Sequence, residues 1–78
     1  MLNDLQRRER ELKSRAEALA AAGDWPASAR LAGELALLYG EMEAESLHDA
    51  GLREHWGRLR RTWASFERRF RQLSERKA

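Results

Sequence analysis

The chain has no cysteine, which excludes disulfides, thiolate metal sites and a cysteine nucleophile, and leaves its redox compartment unmarked. Proline occurs once and glycine five times, too seldom for a loop-rich or disordered protein. No apolar run approaches the roughly 20 residues that cross a bilayer, and Met1-Leu2-Asn3-Asp4 has neither the basic nor the apolar segment of a secretion signal. A cytoplasmic location without membrane contact is the expectation. Histidine is confined to His48 and His55. Seven positions separate them, about 10 Å along a helix, so they cannot share one metal ion.

What the chain has is charge and helical pattern. Of its 78 residues, 42% are hydrophobic and 36% charged, a balance that points to one charge-rich helical domain over 1–78, with a core too small for a large internal active-site cavity. The net charge of +2 conceals a segregation: residues 1–22 sum to +1, residues 23–48 to −4 and residues 49–78 to +5. An acidic middle and a basic end attract one another when packed side by side.

Three helices are predicted, about 2–22, 25–45 and 49–76. In the first, Leu2, Leu5, Leu12, Ala16 and Leu19 share a face that only Glu9 interrupts. Glu9 is expected near solvent or beside an arginine of a neighbouring helix, and Asn3 or Asp4 is expected to cap the start. Gly23-Asp24-Trp25-Pro26 marks a tight turn, because glycine tolerates the left-handed end of a helix, Asp24 can accept from free amides, and Pro26 in a first turn forfeits no bond. Leu31, Leu35, Leu38 and Met42 form the second seam, widened by Ala32, Ala36 and Tyr39. Gly33 and Gly40 are candidate points of close helix approach. Ser46 and Asp49 have the spacing of a capping box, which places the second turn there. The good helix formers of 41–45 leave a second arrangement open, in which helices two and three join into one rod and the chain dimerises.

The third helix carries the densest pattern. Leu52, Trp56, Leu59, Trp63, Phe66, Phe70 and Leu73 recur at alternating spacings of four and three, an apolar seam on a helix about 40 Å long. Gly57, Ala64 and Ser65 flank it with small side chains. The expected fold is all-α: an antiparallel three-helix bundle or an extended helical hairpin with a long C-terminal helix.

The run Leu12-Lys13-Ser14-Arg15-Ala16-Glu17-Ala18-Leu19 leading into Asp24-Trp25, followed by Leu35, Tyr39, Trp56, Leu59 and Phe66, resembles the three-helix modules of a bacterial domain-of-unknown-function family, number three-four-nine in its series. The likeness covers about residues 9–72. It departs at Tyr39, where the family tends to have Trp, and at Glu41-Met42-Glu43-Ala44-Glu45, where a Gly/Pro-rich linker is expected. Ala22-Gly23-Asp24-Trp25 and the stretch from Leu31 to Tyr39 also resemble flagellar export chaperones of the FliT type, which implies a protein partner. Neither resemblance carries catalytic residues.

Reaction chemistry finds no foothold. Glu45 and His48 form a single Glu-x-x-His without the second copy used in di-iron bundles. Ser14, Ser28, Ser46, Ser65 and Ser74 lack a glycine elbow and a histidine partner, and no glycine loop can cradle phosphate. No enzyme activity, metal or cofactor is expected. Recognition has better candidates in the basic set Arg53, Arg58, Arg60, Arg61, Arg68, Arg69 and Arg71, which can pair with the acidic second helix, grip phosphate or meet an acidic protein surface. The leading expectation is a non-catalytic protein-binding adaptor, small chaperone or regulator, docking a partner or a second copy through Trp56, Trp63 and Phe70 with Arg53, Arg60, Arg61, Arg68 and Arg69 around them. The alternatives are RNA or DNA binding by the arginine face and chaperoning in type III or flagellar secretion.

Overall fold

Two short turns divide the chain into three helices in a computed structural model that describes residues 2–77: α1 (Leu2–Ala21), α2 (Trp25–Glu45) and α3 (Ala50–Lys77). At the first turn Gly23 adopts a φ of 78°. Its amide donates to the Ala20 carbonyl at 3.0 Å and the Asp24 amide donates to the Leu19 carbonyl at 2.9 Å. These two bonds satisfy carbonyls that the end of α1 would otherwise leave free. Asp24 then opens α2, its Oδ1 accepting from the Ala27 amide at 3.3 Å and its carbonyl from the Ser28 hydroxyl at 2.8 Å, with Pro26 in the first turn.

The second turn separates α2 from α3, so the single-rod arrangement does not occur. Its caps also differ from the expected capping box. The Ser46 hydroxyl donates back to the Met42 carbonyl at 2.9 Å and ends α2, whereas Asp49 accepts from the Leu52 amide at 3.1 Å and starts α3. A serine that bonds within its own helix cannot also open the next one. Nor do Asn3 and Asp4 precede α1 as caps, because both already lie within it.

The fold is all-α with three helices, and α2 is its centre. It packs against both others, while no Cα of α1 comes within 8 Å of a Cα of α3 among the described residues. The trace is accordingly a slab with extents of 45 × 19 × 13 Å, and its radius of gyration of 13.2 Å exceeds the ~11.5 Å of a compact chain of this length.

Side-chain size explains the asymmetry. Between α2 and α3 the contact is close because glycines face glutamates reciprocally. A Cβ at Gly33 would stand 2.7 Å from Oε2 of Glu67, and one at Gly57 would stand 2.7 Å from Oε2 of Glu43. Glu43 Oε1 accepts from Arg60 Nε at 3.0 Å, and Glu67 Oε2 from Arg71 Nη2 at 2.7 Å. The charge segregation thus does bring acid of α2 onto base of α3, at Glu43 and Arg60. Between α1 and α3, by contrast, stands the indole of Trp63, opposite Ala16 of α1. Trp56 and Trp63 are buried in the core with Leu35, Tyr39 and Met42 of α2, and among the described residues α1 adds only Leu12 and Ala16 as fully buried members. Rings of this size hold two helices further apart than glycine and alanine do.

Candidate functional site

The seam of α3 is only partly covered. Trp56 and Trp63 are buried, Leu59, Phe70 and Leu73 half-buried, and Leu52 and Phe66 exposed. Phe66 retains 40% of its surface against 6% for Trp63, so the face turned toward α1 is where cover fails. Along that edge the rings form a chain. Trp25 stacks on Phe70 with centroids 5.8 Å apart, Phe70 stacks on Phe66 at 6.2 Å, and Phe66 meets Trp63 edge-on at 5.1 Å.

A groove of about 530 Å³ runs between the Phe70, Phe66 and Trp63 rings of this chain and α1. Leu59, Thr62, Trp63, Phe66, Arg69 and Phe70 of α3 line one wall, and Lys13, Ala16, Glu17 and Ala20 of α1 the other. The alanines keep the α1 wall low, so the aromatic wall stays open to a third element. A larger hollow of about 820 Å³ lies on the other side, over the α2–α3 contact. Its floor is Ala29, Gly33, Ala36 and Ala64, its borders carry charges of both signs, and it contains no aromatic ring. With small side chains on its floor and Leu37 as the one large aliphatic side chain in its lining, this hollow offers fewer anchors than the aromatic wall does, so the smaller groove is the stronger candidate.

The expected recognition residues divide among four environments. Trp63, Phe70 and Arg69 line the groove. Trp56 does not: it is a core residue, stacked on Tyr39 at 6.2 Å and touched by His55 at 4.6 Å. Its Nε1 is buried without a hydrogen-bond acceptor among the described residues. Arg60 is held by Glu43, half-buried at the α2–α3 contact, and belongs to the fold. Arg53, Arg61 and Arg68 are exposed and have no ion pair among the described residues, whereas Arg58 and Arg71 pair within α3 with Glu54 and Glu67. Phe66, Leu59, Thr62 and the α1 wall are the groove residues that the recognition set lacked. Phe66 and Leu59 were visible as seam positions, but nothing in the spacing distinguishes a covered member from an open one. Ser65, expected to flank the seam as a small contact residue, faces solvent, since it lies across the helix from Trp63.

Glu9 also has another partner than the arginine expected for it. Tyr39 donates its hydroxyl proton to Glu9 Oε2 at 2.6 Å, across the α1–α2 contact. Burial, then the hydrogen bond to Glu9 and the charge of that carboxylate, push the Tyr39 hydroxyl well above its ordinary value near 10. This tyrosine is a locked structural donor. Among the described residues no three His, Asp or Glu side chains are placed to hold a metal ion, and no helix is long and apolar enough to cross a membrane.

In comparisons with protein-family models, curated proteins and solved structures the chain matches none, so both family resemblances rest on the residues quoted for them, and the groove between α1 and α3 is the feature on which a functional reading has to stand.

Proposed function

We propose that the chain is a non-catalytic protein-interaction module, an adaptor, small chaperone or regulator, that receives a helix of another protein between α1 and α3. One observation carries this reading: the ring chain Trp25–Phe70–Phe66–Trp63 lies along an edge that α1 leaves open. A fourth helix laid there turns an incomplete bundle into a closed one. Two or three anchors at roughly 1.5–3 kcal/mol each, set against an association cost of about 4 kcal/mol or more, give weak binding, on the order of 0.1–1 mM at best. Such binding suits an adaptor that releases its partner.

The test is selection of helical peptides from a display library against the full chain, followed by binding to the Phe66→Glu variant. Peptides with apolar residues at helical spacing that lose at least tenfold in affinity for the variant support the proposal. Recovery of no such peptide, or of peptides indifferent to Phe66, refutes it.

A second reading has its own observation. Arg53, Arg61 and Arg68 are exposed and, among the described residues, unpaired, and arginines so placed on one helix are suited to phosphate. Against it, Arg61 and Arg68 lie across α3 from Trp63, so the arginines and the rings cannot serve one strand of nucleic acid together. Binding of short RNA or DNA across a salt series decides this reading: steep weakening with salt supports it, and no binding at low salt ends it.

A further inference from the structure

We infer that the occupant of the α1–α3 groove is an acidic amphipathic helix of a different protein, about three turns long; this inference rests on the docking reading above. The length follows from the aromatic wall. Leu59 to Phe70 spans eleven steps of helix, about 17 Å at 1.5 Å per residue. An occupant that contacts the whole wall needs the same length, with apolar side chains on one face at spacings of three and four.

The charge follows from the borders. Lys13 on the α1 wall and Arg69 on the α3 wall both line the groove, both are exposed, and neither has an ion pair or hydrogen bond among the described residues. Arg76, one heptad beyond Arg69, continues the same border of α3. Glu17 is the one anion in the lining. Two unpaired cations facing each other across an apolar floor favour an entering helix that is apolar below and acidic on both shoulders. Acidic shoulders meet Lys13 on one side and Arg69 on the other, which fixes rotation as well as affinity.

A second copy of the chain fits less well. Groove against groove, two α3 segments from the +5 third of the sequence would lie side by side and repel. The acidic helix α2 of a second copy has the right sign, but its outer face offers Leu37 as its only large exposed apolar residue, at 74%. One anchor does not fill three turns of groove.

The experiment uses the full chain and two synthetic helical peptides with the same leucine seam, one flanked by Glu and the other by Lys. Tryptophan fluorescence reads binding, and sedimentation reads the state of the chain alone. The Glu-flanked peptide is expected to bind about tenfold more tightly at low salt, an advantage that shrinks toward unity as salt rises. Lys13→Glu with Arg69→Glu is expected to invert the preference. Equal affinities, or tighter binding of the Lys-flanked peptide, overturn the acidic occupant but leave the docking reading standing, provided Phe66→Glu abolishes both. If Phe66→Glu changes neither affinity, the docking reading itself fails. A chain that dimerises unless Phe66 is replaced puts a second copy in the groove and overturns the inference. So does single-stranded DNA that displaces the Glu-flanked peptide and depends on Phe66.

Discussion

Tyr39 and Glu9 are the pair in which residue-scale chemistry is sharpest. Glu9 breaks the leucine stripe of α1 at a position where an apolar residue would fit, and the hydroxyl of the only tyrosine in the chain reaches it at 2.6 Å. Replacing Tyr39 by Phe strands a partly desolvated carboxylate, so Tyr39→Phe is expected to cost about 1–3 kcal/mol in denaturant unfolding. The sign of the pH dependence follows from the raised Tyr39 value. Its contribution is complete below the unfolded value near 10 and is lost as pH rises beyond it, because the unfolded chain releases the proton first. Tyrosinate absorbance reports Tyr39 alone, and its midpoint in the folded chain should lie well above 10. A midpoint at the ordinary value would show that the contact to Glu9 is absent in solution. The sequence shows that Glu9 is anomalous; it does not show the partner, because the partner lies 30 positions away on another helix.

Among the elements, the turns were more legible than the contacts between helices. Gly23-Asp24-Trp25-Pro26 contains every determinant of the first turn within four residues, and all of them act as their chemistry requires. Ser46 and Asp49 were ambiguous because either can cap a helix, and only the bond from Ser46 to Met42 assigns each to its own end. Gly33 was readable as a site of close approach, but the Glu67 side chain over it was not. Two glycines give opposite predictions. Gly40 is helical with ordinary φ, and a Cβ there would meet Arg60 Cδ at 3.6 Å, an ordinary contact. Gly40→Ala should therefore stabilise by about 0.5–1 kcal/mol. Gly23 holds a φ of 78°, so Gly23→Ala should destabilise by about 1–2 kcal/mol. Thermal unfolding of the two variants checks both, and equal shifts of the same sign would contradict the assigned turn.

At the scale of the whole molecule, periodicity established that α3 has an apolar face but not how much of it is covered. That depends on where α1 sits around α2, which Leu12 and Ala16 set by joining the α2 core and the bulk of Trp63 limits on the α3 side. Local spacing contains no information about either. The outcome is a slab with one aromatic edge open, so the seam serves as core at Trp56 and Trp63 and as surface at Phe66. Replacing Phe66 should accordingly leave the fold intact, at a cost below about 1 kcal/mol, while removing whatever docks there. The most direct test of the open groove is an NMR titration of the isotope-labelled chain with a selected helical peptide. Shifts concentrated in 13–20 of α1 and 59–70 of α3, and absent from the Phe66→Glu variant, are the predicted result. Shifts centred instead on Arg53, Arg61 and Arg68, or on the hollow over Gly33 and Ala36, would contradict it.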